Sequence, residues 1–260
     1  MLAKALRNLL NFKEVIVGEK TKSGWCPVCG LDSVAFAPLP AIYGKRARRY
    51  GYVHFGHAEM SSLDSYTCTN CGATDRERLY ALWITQQAEK GRFGQDVSTI
   101  HFAPEKALSK KLRELITSYK TADLLMHSVD FRVDIMDLPF DNESFDFFLC
   151  SHVLEHVSSD DQAIEELYRI TKRGGRGILM APIVLGLKKT IEDPSVTDEA
   201  ERWRLYGQND HLRLYAHDDY VEKIRSHGFR VDELGENYFG TKTFVALGAK
   251  PTSILYVASK

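Results

Sequence analysis

Residues 145–151 read Phe-Asp-Phe-Phe-Leu-Cys-Ser, a nearly continuous apolar run in the second half of the chain. A run of this kind is typical of a strand that is covered on both faces, as in parallel sheets. From Val97 onward the sequence alternates between strand-like and helix-like segments. That alternation predicts an α/β fold with a doubly wound, mostly parallel sheet. Such sheets bind ligands at the carboxyl ends of their strands, where the strand order reverses.

The spacing of apolar residues predicts the individual elements. Strands are predicted at 97–102, 121–125, 131–134, 145–151, 177–181, 229–234 and 253–259, with the glycine pair 174–175 as a turn. Helices are predicted at 2–12, 75–90, 106–119, 161–170 and 218–227. The long segment of about 182–216 follows the fifth predicted strand, and we expect it to lie over a pocket at the sheet edge.

Composition and charge exclude several classes of protein. The 260 residues carry 34 Lys+Arg and 35 Asp+Glu, a net charge of -1, which argues against a protein that coats nucleic acid. The apolar runs are too short to cross a bilayer, and the N-terminus lacks a secretory pattern, so the predicted compartment is the cytoplasm. Residues 1–95 hold 13 Lys+Arg against 8 Asp+Glu, whereas residues 96–260 hold 21 against 27. This asymmetry predicts two units, 1–95 and 96–260.

Four of the five cysteines form two short motifs, Cys26-Pro-Val-Cys29-Gly30 and Cys68-Thr-Asn-Cys71-Gly72. Two thiolates separated by two residues can turn onto one metal ion, and the following glycine allows the left-handed backbone that the turn needs. The sequence therefore predicts a closed, structural zinc site with the ligands Cys26, Cys29, Cys68 and Cys71. A redox dithiol is the rival interpretation, but it needs only one such pair. Cys150 is predicted to be a buried core thiol.

The insertion between the two motifs holds further candidates. His54 and His57 could each replace a cysteine as a ligand, although four sulfurs already suffice. The insertion also contains Lys45-Arg-Ala-Arg-Arg49, flanked by aromatic residues at positions 43, 50, 52 and 55. Basic residues interleaved with aromatic ones can bind phosphates and stack bases. Because the charges are few, a solvated loop or a small-anion site is favoured over a nucleic-acid contact.

Several motifs, in the right order, resemble those of class I S-adenosylmethionine-dependent methyltransferases of the type 11 kind. They are Asp134-Ile-Met-Asp-Leu-Pro-Phe140, Asn142-Glu-Ser-Phe-Asp146 and Ser151-His-Val-Leu-Glu-His-Val157. The later Arg169-Ile-Thr-Lys-Arg-Gly-Gly175 is similar to the family's R-V-L-K-P-G-G turn, with Arg173 in place of proline. The resemblance covers about residues 97–260. It implies a Rossmann-like, seven-stranded sheet and S-adenosyl-L-methionine as the cofactor.

The resemblance also implies roles for residues at the ends of three strands. Asp123 would accept hydrogen bonds from the ribose hydroxyls of the cofactor. Asp134 would accept one from the adenine amine, and the backbone N–H of Ile135 would reach a ring nitrogen. Ser151 and His152 would line the methionine side of the pocket. The alternative for each acid is a helix cap or a residue of a solvated loop.

One motif departs from the family pattern. The glycine-rich loop after the first strand is replaced by His101-Phe-Ala-Pro-Glu-Lys-Ala107, in which Ala103, Glu105 and Ala107 take the glycine positions. The predicted cofactor contacts in this loop are Phe102, Ala103, Pro104 and Glu105. Glu105 could bind the cofactor's ammonium or face its sulfonium, or it could favour a helix N-terminus. Loss of cofactor binding is the remaining alternative.

The N-terminal motifs narrow the resemblance. CPVCG, CTNCG-x-x-x-RERL and HFAPE together resemble a bacterial subgroup associated with surface-glycan and small-molecule modification. The resulting hypothesis is O-methylation of a sugar, phosphosugar or other small bacterial metabolite, with no nucleic-acid or membrane partner. Two alternatives stay open. One is an RNA methyltransferase that uses the cysteine unit and the basic stretch, and the other is a non-enzymatic, zinc-dependent interaction module.

The segment of about 182–216 is predicted to carry substrate groups, because loops at this position of such folds often do. A hydroxyl acceptor needs a base, and the predicted base is His211 with Asp210 orienting or assisting it. His156 is the alternative base, or a helix-start histidine that bonds to backbone. The predicted substrate-binding residues are Arg202, Tyr206, Arg213 and Tyr215. The alternative is a lid stabilised by its own ion pairs.

Overall fold

The computed structural model describes residues 22–94 and 96–260, so the helix predicted at 2–12 lies outside the described residues. The strands are β1 (Lys22–Cys26), β2 (Leu31–Ala37), β3 (Thr67–Cys68), β4 (Ser98–Phe102), β5 (Ser118–Asp123), β6 (Phe131–Arg132), β7 (Phe145–Ser151), β8 (Thr171–Met180), β9 (Ile191–Glu192), β10 (Arg213–Leu214), β11 (Arg230–Leu234) and β12 (Leu255–Ser259). The helices are α1 (Ala41–Tyr50), α2 (Asp75–Glu89), α3 (Lys106–Leu115), α4 (Asp160–Ile170), α5 (Glu199–Tyr206), α6 (His217–Ser226), α7 (Glu236–Phe239) and α8 (Thr241–Leu247). None of these helices is long and apolar enough to cross a lipid bilayer.

The central sheet has seven strands in the order β11-β12-β8-β7-β4-β5-β6. The five strands from β8 to β6 run parallel, whereas β12 and β11 pair in antiparallel fashion at one edge. This arrangement confirms the predicted α/β fold with a doubly wound, mostly parallel sheet. The strand order reverses between β4 and β7, because β5 lies on the far side of β4. The carboxyl ends of β4 and β7 therefore meet at the position where such sheets bind ligands.

Strand β7 is as deeply buried as its composition predicts, and its bounds agree with the prediction. Residues 147–151 are all buried. Gly177 on the neighbouring strand β8 makes room for the ring of Phe148, since a Cβ atom at Gly177 would lie 2.2 Å from the ring carbons. The aromatic ring of Phe148 on β7 thus requires a glycine at the facing position on β8.

The glycine pair Gly174 and Gly175 lies inside strand β8 rather than in a turn before it, which corrects the prediction. Phe145 pairs with Thr171, but Phe147 pairs with Arg176, so β8 bulges by extra residues between these two positions. Gly174 takes the left-handed conformation, with a φ of 76°. A glycine pair is compatible with a turn and with a bulge, and the pairing of β8 with β7 selects the bulge.

The basic stretch 45–49 is helical, which corrects the interpretation as a solvated loop. It lies in α1, whose buried positions are the small residues Gly44 and Ala47. The ring of Tyr50 stacks on that of Trp203 in α5 with centroids 5.4 Å apart, and the Arg46 guanidinium lies 5.6 Å from the same Trp203 ring. Helix α1 therefore packs on the segment of about 182–216, of which α5 is part.

The larger of two hydrophobic clusters among the described residues runs through both regions of the chain. It includes Cys26, Val28 and Phe36 from the cysteine-containing region, as well as Ile100 and Phe148 from the central sheet. Helix α2 joins the two regions, because its buried residues occupy most of its circumference. The division of the chain at residues 95 and 96 stays a prediction, but the core is continuous across it.

The buried guanidinium of Arg78 fastens α2 to its surroundings. It donates hydrogen bonds to the carbonyl oxygens of Leu247 (2.8 Å), Tyr66 (3.1 Å), Ala73 (3.1 Å) and Ser65 (2.5 Å). It also lies 3.9 Å from the centre of the Phe36 ring. Each buried carbonyl needs a donor, and here a single side chain supplies donors to four carbonyls, of which that of Leu247 is 169 residues away in sequence.

We expect Arg78→Met to lower the free energy of unfolding by about 3 kcal/mol or more, because four carbonyls lose their donor at roughly 1 kcal/mol or more each. Urea denaturation followed by circular dichroism measures this change. Arg204→Met is the matched control, because Arg204 is an exposed residue that pairs with Glu201 in its own helix turn, and it should leave the midpoint unchanged. Equal midpoints for the two variants would contradict the role given to Arg78.

Candidate cofactor and catalytic site

The loop after β4 keeps a left-handed backbone although it lacks glycine. Ala103 has a φ of 49°, and its N–H donates to the carbonyl oxygen of Ala122 at 2.9 Å. A left-handed conformation costs a residue with a Cβ atom roughly 1–2 kcal/mol. Ala103 therefore replaces the first glycine of the family pattern, but its backbone adopts a conformation that favours glycine.

Glu105 precedes α3, but its side chain makes no cap hydrogen bond there. Instead, its Oε2 lies 2.9 Å from Nε2 of His101, whose Nδ1 lies 2.6 Å from the hydroxyl of Tyr119. Burial would raise the pKa of Glu105, but the hydrogen bond to His101 and the charges of His101 and Arg76 outweigh burial and lower that pKa. The other oxygen, Oε1, is buried and has no hydrogen-bond partner within the described residues. The loop therefore carries an ionised carboxylate with one oxygen to spare.

Two residues that sequence reasoning missed reach this loop from α2. Tyr80 places its hydroxyl 3.2 Å from Oγ of Ser151, at the carboxyl end of β7. The charge of Arg76 contributes to the lowered pKa of Glu105. Arg76 begins the RERL motif and Tyr80 directly follows it, so the motif was the available signal, but spacing alone could not show that α2 packs behind the loop.

The two acids assigned to the cofactor's adenosine lie at the same sheet edge. Asp123 ends β5, and its Oδ1 accepts hydrogen bonds from the backbone N–H groups of Leu125 and Met126, both at 2.6 Å. Asp134 follows β6, and its Oδ1 accepts one from the N–H of Met136 at 2.9 Å. Ile135 is buried. The acids thus shape their own turns, and their contact with a cofactor stays a prediction.

His152 stands where β7 ends and turns sharply. Its φ is 57°, and its N–H donates to the carbonyl oxygen of Met180. Its Nδ1 lies 3.1 Å from Oε1 of Glu155. Burial lowers the pKa of His152, and the charge of Arg76 lowers it further. His152 therefore lies between the cofactor loop and a second polar group.

That second group consists of Glu155, His156, Asp210 and His211, and we call it the histidine–carboxylate cluster. The rings of His156 and His211 are perpendicular, with centroids 4.8 Å apart. Nδ1 of His156 lies 3.6 Å from Oδ2 of Asp210, and its Nε2 lies 3.8 Å from Oε1 of Glu155. The structure therefore brings together the predicted base, its predicted helper and the predicted alternative base. The sequence prediction missed Glu155, although it is the glutamate of the Leu-Glu-His element.

Burial and the neighbouring charges together set the charge states in the cluster. Burial lowers the pKa of His211 to about 4, so the imidazole is neutral at ordinary pH. Burial would raise the pKa of Glu155, but the neighbouring imidazoles of His152 and His156 outweigh it and lower that pKa. A group with so low a pKa as His211 is a weak proton acceptor near neutral pH. The role of His211 as the base stays a prediction.

The residues assigned to substrate binding are occupied by other contacts. Arg213 is 1% exposed and donates to the carbonyl oxygens of Leu154 (2.5 Å) and Val157 (2.7 Å) and to Oε1 of Glu192 (2.7 Å). The Tyr215 hydroxyl donates to Oδ2 of Asp160 at 2.6 Å. These bonds fit the alternative of a lid held by its own ion pairs.

The other two assigned residues also bond within the lid. The Tyr206 hydroxyl accepts a hydrogen bond from the N–H of Asp193, and Nε of Arg202 donates to the carbonyl oxygen of Val196. Substrate contact by these four residues stays a prediction, and for the buried Arg213, Tyr206 and Tyr215 it would require these bonds to open.

The four cysteines of the two motifs come together. Their sulfur atoms all lie within 4.8 Å of one another, with 3.7 Å between those of Cys26 and Cys71 and 4.0 Å between those of Cys29 and Cys68. After each motif a left-handed glycine donates its N–H back to the first cysteine, at 2.8 Å in one motif and 2.9 Å in the other. Tetrahedral coordination at a Zn–S distance near 2.3 Å puts sulfurs about 3.8 Å apart, which these distances fit.

Comparison with known proteins gives one family match and several weaker similarities. Residues 92–179 match the family model described as methyltransferase domain. A stretch of 43 residues is 51% identical to an uncharacterized protein of Methanocaldococcus jannaschii; it covers 16% of this chain and 21% of that protein, so the chain spans about a fifth of the length of the curated relative it matches.

Two solved structures illustrate the structural similarity. A candidate methyltransferase from Bacillus halodurans gives a TM-score of 0.43 at 14% identity, covering 68% of this chain and 98% of that one. An S-adenosylmethionine-dependent methyltransferase from Mesorhizobium loti gives 0.43 at 13% identity, covering 68% of this chain and 97% of that one.

The family match supports the predicted class of enzyme. The matched residues contain the β4 loop, the acids at the ends of β5 and β6, and the histidine-rich turn after β7. Residues 92–179 are therefore similar to a methyltransferase domain, in agreement with the enzyme class predicted from the motifs.

The left-handed conformation of Ala103 leads to a prediction about stability. We expect Ala103→Val to lower the free energy of unfolding by about 1–3 kcal/mol, because a β-branched side chain tolerates this conformation poorly. Ala103→Gly should leave it unchanged or raise it slightly, because relief of strain and added freedom of the unfolded chain oppose each other. Urea denaturation measures both changes. Ala107→Val, in the regular helix α3, is the matched control and should cost less than Ala103→Val.

Proposed function

We propose that the protein transfers the methyl group of S-adenosyl-L-methionine to a hydroxyl oxygen of a small acceptor, such as a sugar or a phosphosugar. The observation that supports this most is the closeness of the β4 loop to the histidine–carboxylate cluster. Phe102 pairs with Cys150 across β4 and β7, and His152, two residues further on, contacts Glu155. A cofactor on the loop would thus lie next to groups that can handle an acceptor hydroxyl.

The loop has features that suit this cofactor. When bound, S-adenosyl-L-methionine supplies a methyl group on a positively charged sulfonium. Ionised Glu105, with its spare oxygen, suits a ligand that carries ammonium and sulfonium charges. Asp123 and Asp134 would hold the ribose and the adenine, and Ser151 would line the methionine side.

The acceptor side requires a place for a proton. In the transfer, the acceptor O–H bond and the methyl–sulfur bond break, an O–CH3 bond forms, and the sulfur keeps the electron pair of its broken bond. The proton must then leave the acceptor. The histidine–carboxylate cluster would position the hydroxyl and receive or pass on this proton. His211 as base, with Asp210 assisting or His156 in its place, is the simplest division of these roles.

Two substitutions should separate acceptor chemistry from cofactor binding. His211→Ala should reduce turnover by about 100-fold or more and leave the affinity for the cofactor nearly intact, because the imidazole lies on the acceptor side. Asp134→Ala should instead weaken cofactor binding, because a carboxylate facing the adenine amine is lost. Calorimetric titration with S-adenosylmethionine and S-adenosylhomocysteine, combined with turnover assays on glycan precursors, measures both.

Equal turnover for His211→Ala and the unsubstituted protein would contradict the acceptor-side role. Unchanged affinity of Asp134→Ala would contradict the adenine assignment. If neither S-adenosylmethionine nor S-adenosylhomocysteine binds the unsubstituted protein, the zinc-dependent interaction module becomes the better interpretation.

An RNA acceptor is the second candidate, and the position of α1 is the observation that favours it. The exposed basic residues Lys45, Arg48 and Arg49 belong to a helix that packs on α5 in the lid segment. Their charges therefore flank the segment expected to cover the acceptor. An RNA-binding enzyme should lose affinity steeply as salt increases, whereas affinity for an uncharged sugar should not change.

We also propose that the four clustered cysteines hold a structural zinc ion. Four thiolates at tetrahedral separations form a closed site, which leaves no position for a substrate. A redox dithiol would need only one pair of cysteines, whereas all four sulfurs converge here. An ion at this site would brace the region from which α2 extends toward the cofactor loop.

Elemental analysis of the purified protein tests this zinc proposal. Cys71→Ser should lower the bound zinc by one equivalent per chain and lower the melting temperature, because three remaining thiolates form an incomplete site. Cys150→Ala is the matched control, since Cys150 is buried in β7 away from the cluster and its loss should leave the zinc content unchanged. Equal zinc contents in the two variants would contradict the proposal.

A further inference from the structure

The histidine–carboxylate cluster has the composition and the spacing of a metal site. Glu155, His156 and His211 each offer one ligand atom, and these atoms all lie within 4.8 Å of one another. The three side chains come from two separate segments, the turn after β7 and the end of the lid. Donor atoms from distant segments can converge in this way on a single ion.

The polar atoms of this group lack partners to a degree that is unusual for a protein interior. Glu155 is fully buried; Nδ1 of His152 lies 3.1 Å from its Oε1 without hydrogen-bond geometry, and its Oε2 has no partner among the described residues. His211 is 3% exposed, and both of its ring nitrogens are likewise without a hydrogen bond. Buried polar groups are normally satisfied, and an ionised carboxylate even more so. A bound cation would satisfy the carboxylate and an imidazole nitrogen together.

The backbone around the cluster is fixed independently of any ligand. The N–H of Leu212 donates to the carbonyl oxygen of Glu155 at 2.8 Å, which holds the His211 segment against the turn. The Arg213 guanidinium bonds the carbonyl oxygens of Leu154 and Val157, which flank the two ligand residues of the turn. Arg213 is thus a positioning residue. These hydrogen bonds fix the backbone of the two segments that carry the three candidate ligands.

From these observations, we propose that Glu155, His156 and His211 bind a divalent first-row transition-metal ion, and that this ion holds two neighbouring oxygen atoms of the acceptor. Two imidazoles and one carboxylate suit such ions, whereas Mg²⁺ prefers oxygen ligands alone. Three protein ligands leave open positions on the ion. His156 is 34% exposed, so the open side faces the exterior, where an acceptor could enter.

The position of the ion gives the acceptor its chemical class, and this step rests on the proposed function. Through His152 the cluster adjoins the end of β7 and hence the β4 loop. An acceptor with vicinal hydroxyls, as on a sugar ring, could chelate the ion and present one oxygen to the methyl group. The cation would lower the pKa of the bound hydroxyl, and its proton would leave to bulk water past the open side. No strongly basic side chain is then needed.

Binding of Mn²⁺ to the protein tests this proposal without any acceptor. Mn²⁺ prefers nitrogen and oxygen ligands to thiolates, so it should leave zinc in the cysteine site. Electron paramagnetic resonance of free Mn²⁺, recorded during titration of the zinc-loaded full chain, should show one ion bound per chain. Glu155→Gln and His156→Gln should each weaken this binding by about tenfold or more. His227→Ala, at a histidine outside the cluster, is the matched control and should bind as the unsubstituted protein does.

The two variants distinguish a loss of metal binding from a folding defect. Glu155→Gln preserves the shape of a buried side chain, and His156→Gln changes a partly exposed one, so a folding defect in one can be checked against the other by thermal unfolding. No bound Mn²⁺ in the unsubstituted protein, or binding by both glutamine variants that is as tight as in the unsubstituted protein, would overturn the proposal. Titration of the same sample with S-adenosylmethionine separates the two proposals. If Mn²⁺ binds but the cofactor does not, the metal site is supported and the methyltransferase function is contradicted. If the cofactor binds but Mn²⁺ does not, the methyltransferase function is supported and the metal site is contradicted.

Discussion

The rest of the structure depends on one buried cation, the guanidinium of Arg78. Arginine keeps its charge in proteins, so each of its N–H groups must find an acceptor when it is buried. The acceptors here are backbone carbonyls of the cysteine region and of the last helix, α8. These bonds fix how α2 lies between the two regions. Because α2 also carries Arg76 and Tyr80, the same constraint sets what reaches the cofactor loop from behind.

The altered glycine loop is best understood together with α2. A carboxylate at position 105 could not be buried there alone, since an isolated charge in the interior is costly. His101 on β4 and the charge of Arg76 on α2 compensate for it. Ala103 meanwhile keeps the left-handed backbone at the cost of some strain. The glutamate at position 105, which departs from the family pattern, is thus stabilised by Arg76. Arg76 lies outside the segment that matches the methyltransferase family model.

The sequence was informative where one physical signal dominated, and misleading where two structures share a signal. The run at 145–151 predicted β7 with its bounds, because continuous apolar residues of that length suit a strand covered on both faces. Helix α1 was missed because its buried side presents Gly44 and Ala47, which produce little apolar periodicity. The role of Arg213 and Tyr215 could not be decided from the sequence, because a polar segment has the same composition whether its side chains contact a substrate or the protein itself. The four cysteines could be grouped by spacing alone, whereas the burial of Glu155 and His211 depends on the folded structure and could not be predicted from the sequence pattern.

The two clusters of candidate ligands differ in the chemistry of their donor atoms, and this difference has a consequence. One offers four sulfurs at tetrahedral separations, and the other offers one carboxylate and two imidazoles. Soft thiolates favour zinc, and the harder set accepts ions such as Mn²⁺ that thiolates bind weakly. A closed site can only brace a fold, whereas a site with three ligands and an open side can take part in chemistry. The four-cysteine cluster therefore lies in the region to which α2 is attached. The histidine–carboxylate cluster lies at the edge of the sheet, between the cofactor loop and the lid segment.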